Sequence, residues 1–97
     1  MPYYVTLGNW TDQGIRNVKD VPKRVESTKA VVEQHGGKLL NVFITMGKYD
    51  FVFISELPSD EAMMEVALAI GMKGNGRTTT LKAWTPQDAA KVIAKLP

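Results

Sequence analysis

Within the stretch Gly47 to Ser55 the chain is apolar at four successive positions, Phe51 to Ile54, and this sets the stretch apart from its neighbours. Side chains alternate along a strand, so Phe51 and Phe53 share one face while Val52 and Ile54 share the other. A strand apolar on both faces needs cover on both. The rest of the pattern supplies helices for one face only. Tyr3 to Trp10 (YYVTLGNW), rich in aromatic and β-branched residues, predicts a first strand. Thr11 and Asp12 are helix N-cap residues, and Ile15, Val18, Val25 and Val32 follow at helical spacing as far as Gln34. Pro22 interrupts that run, which predicts one helix over about Asp12–Lys19 and a second over about Pro22–His35, parting at Asp20 or Val21. Gly36-Gly37 provides the left-handed stop.

Lys38 to Met46 (KLLNVFITM) predicts strand two, Gly47-Lys48 a tight turn, and Tyr49 to Leu57 strand three of an antiparallel hairpin. Ser59 is an N-cap followed by Asp60 and Glu61, acids that suit the start of a helix. The core face of that helix is Met63, Val66, Ala67 and Ile70, and Gly71 with Gly74-Asn75-Gly76 ends it. Arg77 to Trp84 (RTTTLKAW) predicts strand four. Thr85 and Pro86, as N-cap and N1, open a last helix with Ala89, Val92, Ile93 and Leu96 on one side.

The order β-α-β-β-α-β with a terminal helix predicts an α+β domain of the ferredoxin-like kind. Its antiparallel four-stranded sheet has strands one and three at the centre and two main helices on one face. No linker divides residues 1–97, so one domain is expected. The sheet's second face stays open. Alternation from strand to strand assigns to it Tyr4, Thr6, Gly8 and Trp10, then Asn41, Phe43 and Thr45, then Phe51 and Phe53, and lastly Thr80, Lys82 and Trp84. Such a face calls for a second subunit, a ligand or stacked bases.

Composition narrows the choice of function. The formal net charge of +2 and pI near 9.0 come from a slight excess of basic residues without a basic tract, so nucleic acid is not an expected partner. With no cysteine there is no disulfide, thiolate metal site or cysteine nucleophile. His35 stands alone, without a second histidine at ligand spacing, so no metal and no cofactor is expected. No apolar run is long enough for a membrane span, and Met1-Pro2-Tyr3-Tyr4 does not start like a signal peptide, which makes the cytoplasm the expected location.

The chemistry-bearing residues are few. Tyr49, Asp50 and Glu56 are the catalytic candidates, as a proton donor and two carboxylates in or beside strand three. Tyr49 and Asp50 are adjacent and point to opposite faces, so they do not form a dyad. Gly74-Asn75-Gly76-Arg77 resembles an anion-binding loop, although it precedes a strand where phosphate loops precede a helix. Tyr4, Trp10, Phe51 and Trp84 give an aromatic wall, and Arg77, Thr80 and Lys82 give donors. Together they form a predicted ligand-binding set for a small organic acid on the open face. Gly14, inside a helix where glycine is costly, marks a close-approach position, either at a pocket rim or under a neighbouring backbone.

Three blocks carry a family resemblance: Asn9-Trp10-Thr11-Asp12-Gln13-Gly14-Ile15-Arg16, Met46-Gly47-Lys48-Tyr49-Asp50, and Arg77-Thr78-Thr79-Thr80-Leu81-Lys82-Ala83-Trp84-Thr85. On these the chain resembles the GYD-domain family, whose name letters stand here as Gly47, Tyr49 and Asp50. The resemblance implies a dimeric α+β barrel, with two ferredoxin-like subunits packed sheet to sheet and often a pocket between sheet and helices. It implies no particular reaction. The expected protein is a homodimer or higher oligomer that binds a small molecule, as a ligand-binding or sensing protein or as a cofactor-independent enzyme. A rival reading is single-stranded RNA binding. Tyr49-Asp50-Phe51-Val52-Phe53 overlaps part of the RNA-recognition signature, whose aromatics stack on bases. Asp50 in place of a small residue and the low net charge weigh against it.

Overall fold

The computed structural model describes all 97 residues. Strand β1 (Tyr3–Trp10) leads into a short helix α1 (Asp12–Arg16), and a 3-10 turn at Val18–Asp20 joins it to α2 (Val21–Gln34). Strands β2 (Lys38–Ile44) and β3 (Phe51–Glu56) form the hairpin, followed by α3 (Asp60–Met72), β4 (Gly76–Ala83) and α4 (Pro86–Ile93). The sheet order is β2-β3-β1-β4, antiparallel throughout, with β1 and β3 central as the sequence predicts.

Local chemistry accounts for the helix ends. Thr11, Ser59 and Thr85 each accept a hydrogen bond from the backbone N–H three residues on. Pro22 sits in the first turn of α2, where its missing N–H has no consequence. Gly36 and Gly47 both have positive φ, of 80° and 114°. The connection at Gly47 is nonetheless longer than a two-residue turn. Thr45 N–H bonds to Asp50 C=O at 2.8 Å and the Thr45 hydroxyl to Tyr49 C=O at 2.6 Å, closing a four-residue loop. Tyr49 and Asp50 therefore lie outside β3.

The main core lies between the sheet, the later half of α2 and the first half of α3, where Tyr4, Val32, Leu57, Met63 and Val66 are buried together. It corrects the expected facing of the sheet. Tyr4, Thr6 and Gly8 on β1 and Phe51, Phe53 and Ser55 on β3 are the buried residues, and they point toward the helices. Register carries the assignment across. Thr80 lies opposite Thr6 and Lys82 opposite Tyr4, so both belong to the helix-covered face. The open face is the complementary set: Val5 and Leu7, Val52 and Ile54, Phe43, and Thr79 and Leu81. Gly8 is the physical reason for this facing. Gly8 has no side chain, and the Phe51 ring occupies the space above it; a Cβ there would lie 1.9 Å from the ring.

Gly14 does mark a close approach. A Cβ on it would fall 1.9 Å from the Asn75 carbonyl oxygen. Around it α1 is fastened to the loop between α3 and β4. Thr11 N–H bonds Asn75 C=O at 3.1 Å, the Thr11 hydroxyl bonds Gly74 C=O at 2.5 Å, and Gln13 Nε2 reaches Lys73 C=O and Asn75 Oδ1.

Candidate functional site

A cleft of about 270 Å³ opens between the sheet and the first half of α2, at the end of the sheet where β1 and β2 finish and β3 and β4 begin. Val42, Ile44, Phe51 and Phe53 form its floor, Val21, Val25, Ser27 and Thr28 of α2 one wall, and Ile70 of α3 with its C-cap Lys73 the other. Trp10 closes the end, its ring 4.7 Å from that of Phe51 and tilted by 34°. The space exists because Val21, Val25, Ser27 and Thr28 of α2 are short side chains above a floor of two phenylalanines, while Lys23 and Arg24 lie at the rim. Valine, serine and threonine at those positions leave the helix standing off the sheet.

The charged residues on the rim are Lys23, Arg24 and Lys73; no carboxylate, histidine or tyrosine lines the cleft. Arg24 is half-buried. Its guanidinium donates to Gly14 C=O at 3.1 Å and to Asn17 C=O at 2.6 Å, and lies 5.5 Å from the centre of the Trp10 ring. The Lys73 ammonium donates to the Ser27 hydroxyl, linking α3 to α2 across the cleft. Neither cation has an acidic partner, since the two ion pairs of the chain are His35–Glu65 and Lys82–Asp60.

Of the seven ligand-binding residues named from sequence, the structure brings only Trp10 and Phe51 into this cleft. Tyr4 is a core residue whose hydroxyl donates to Asp60 Oδ1 at 2.5 Å. Burial first and the Asp60 hydrogen bond second push its phenol up to about 12. Asp60 is held below its ordinary value by the bond from Tyr4 and then by Lys82, whose ammonium is 3.0 Å away. Thr80 faces the Thr6 hydroxyl at 3.4 Å. Arg77 is exposed on the other face, opposite Asn9. Lys82 and Trp84 lie at the far end of the sheet, where they border a second, shallower hollow with Met1, Tyr3 and Val92. The set thus divides over four places, and the pocket lies on the helix-covered face, not the open one.

The catalytic candidates are accounted for structurally. Asp50 Oδ2 accepts from Trp10 N–H at 2.8 Å and so ties the loop to the end of β1. Tyr49 is in the hairpin loop, with the Lys48 ammonium 5.7 Å from its ring centre. Glu56 is on the open face opposite Tyr3 and raises that phenol above its ordinary value through a hydrogen bond. No group of three or more histidine, aspartate or glutamate side chains is placed to hold a metal. Arg24 and Lys73, which sequence reasoning passed over, are the polar groups that the cleft gathers. The available signal was Arg24 itself, two residues after Pro22 and with Ser27 and Thr28 one helical turn on, where an acidic partner would stand.

A four-stranded antiparallel sheet with two helices on one face, a cleft beneath them and an apolar second face defines the chain as a ferredoxin-like α+β protein. Family comparison makes this specific: the chain belongs to the GYD domain family, whose model matches residues 4–93. It is similar to a Thermus thermophilus protein named as a glutamine synthetase and cystathionine beta-lyase binding protein, at 27% identity and with 99% of each chain covered. Among solved structures it is similar to TTHA0845 from Thermus thermophilus, with TM-score 0.55, 21% identity, and 88% of this chain and 95% of that one covered. It also matches the leucine response regulatory protein LrpA of Mycobacterium tuberculosis, with TM-score 0.57 and 14% identity, over 87% of this chain but 51% of the other. At these identities the two structures speak for the fold alone.

Proposed function

We propose that the protein is a non-catalytic binding protein that holds one small apolar molecule in the cleft under α2 and pairs with a second copy of itself through the open sheet face. The observation that carries the first half is the lining of the cleft. Its floor is apolar and aromatic, its walls mix valine and isoleucine with serine, threonine and lysine, and no carboxylate, histidine or tyrosine suited to general acid–base work at neutral pH faces it. The Thermus relative, named for what it binds, supports a binding role over a catalytic one.

Self-association is supported by the open face and by shape. Phe43 and Leu81 on that face are 56% and 50% exposed, and Val5, Leu7, Val52 and Ile54 lie between them. Val92, Ile93 and Leu96 near the C-terminus are also exposed, and α4 buries none of its residues. An apolar surface this continuous is characteristic of an interface. The radius of gyration, 14.5 Å, exceeds the roughly 12.5 Å of a compact chain of this length, as expected of half an assembly. The RNA-stacking alternative loses its platform, because Tyr4, Phe51 and Phe53 are all under the helices.

Native mass spectrometry of the purified protein tests the reading. A dimer is expected to carry a small molecule that organic solvent releases. Val25→Phe, which fills the cleft, is expected to abolish that increment while the protein still melts cooperatively. An unliganded wild type whose Trp10 emission responds to no small apolar compound would sink the proposal.

A further inference from the structure

Resting on that reading, we infer that the ligand is an apolar monoacid, a short fatty-acyl or aryl carboxylate, whose head group is taken by Arg24 and Lys73 at the rim while its body lies on Phe51 and Phe53. The two cations have unused donors. A guanidinium carries five N–H groups and an ammonium three. The protein occupies two of the five on Arg24 and one of the three on Lys73, all with neutral oxygens. Arg24 is also held in place: two carbonyls fix its plane and Trp10 lies beside it. A planar fork positioned in advance loses little freedom on meeting a carboxylate, which is the geometry it matches best. Nearby acids do not compete, since none lines the cleft and neither cation is in an ion pair.

Size and polarity limit the ligand further. A volume of 270 Å³ equals the liquid volume of about nine waters, hence a molecule of about ten non-hydrogen atoms. Apart from the rim cations, the polar groups facing this space are small, chiefly the Ser27 and Thr28 hydroxyls and Asn75. A second charge on the ligand would be buried against Phe53 and Ile70 without a partner. One acid group at one end of an apolar body is what this distribution of charge accepts.

Trp10 supplies the readout, because it closes the cleft, and Trp84→Phe removes the other indole. In that background, titration with octanoate, 1-octanol and octylammonium separates head group from body. Octanoate is expected to bind at least tenfold more tightly than octanol at low salt, and octylammonium to bind least. Lys73→Gln and Arg24→Gln are each expected to weaken octanoate about tenfold and to leave octanol unchanged. If Arg24→Gln unfolds for want of its carbonyl bonds, Lys73→Gln alone decides. Octanol binding as well as octanoate, with Lys73→Gln indifferent to both, overturns the acid assignment and leaves the binding reading standing. No response of Trp10 to any of the three overturns both.

Discussion

Gly8→Ala joins the packing of the sheet to the cleft in one substitution. The added methyl would lie 1.9, 2.1 and 2.5 Å from three carbons of the Phe51 ring, where carbon atoms in contact keep about 3.5 Å. The backbone of β1 is held on both sides, by β3 and by β4, so the ring has to give way. It must move by about 1.5 Å, with Trp10 stacked against it, and the open space beside it is the cleft. Overpacking of this kind costs about 1–3 kcal/mol, and replacing a strand glycine returns about 0.5–1 kcal/mol. The net loss is then about 1–2 kcal/mol, a fall in Tm of roughly 5–15 °C for a domain of this size. Thermal unfolding followed by circular dichroism measures it, and titration of Trp10 emission measures the cleft. A folded variant that melts lower and binds the cleft ligand at least tenfold more weakly is the expected result. A variant with wild-type melting and wild-type binding would show that Phe51 does not occupy the place above Gly8.

Three further outcomes follow from the same geometry. Ile54→Asp, on the open face, is expected to turn the dimer into a folded monomer in sedimentation at micromolar concentration, whereas Thr79→Ser on the same face should leave it dimeric. Gly14→Ala should lower stability by about 1–3 kcal/mol despite a gain in helix propensity, because its methyl meets the backbone oxygen of Asn75; a higher melting temperature would mean that α1 is not seated on that loop. Because the Tyr4 phenol is raised to about 12 in the folded protein, its contribution is complete below the ordinary tyrosine value near 10 and is lost as pH climbs from 10 to 12, up to about 2–3 kcal/mol. Tyr4→Phe should flatten this alkaline limb in pH-dependent denaturant melts. Asp60, lowered in the folded state, contributes in the opposite sense, its share being lost as pH falls through and below the ordinary carboxylate range.

The fold was legible because its signals are local. Caps at Thr11, Ser59 and Thr85, the break near Pro22 and the glycine stops at Gly36 and Gly74 each act through a few neighbouring backbone groups, and the structure has them where the chain spells them; Gly71, expected to help end α3, lies inside it. The positions of β1 and β3 at the centre followed from the β-α-β-β-α-β order alone. The length of the hairpin loop was less legible. Gly47 does need its positive φ, but the bond from Thr45 N–H to Asp50 C=O extends the loop on both sides of it, and no residue type announces that pairing.

The facing of the sheet was not legible, and the reason is physical. Alternation divides a strand into two sets without saying which one the helices cover, and here both sets are apolar. Phe51 and Phe53 are bulkier than Val52 and Ile54, and that bulk suggests an interface as readily as a core. What decides is the partner across the strand pair. Phe51 lies opposite Gly8, the one position on β1 where a large ring fits under the helices. The same pairing makes the cleft. Phe51 leans over Gly8 and against Trp10, and α2 passes above with the short side chains of Val21, Val25, Ser27 and Thr28, which leave the space unfilled. Arg24 sits on the helix that this packing holds away from the sheet, beside Trp10 and within reach of the carbonyls of α1. A rim cation in that position needs all three elements folded, so no spacing along the chain could have put it next to Phe51. Tyr4 and Lys82, which the sequence offered as pocket residues, instead meet at Asp60 and fasten the start of α3 to the sheet. The donors nearest the apolar floor thus come from α2 and α3, and a ligand seated there touches both helices at once.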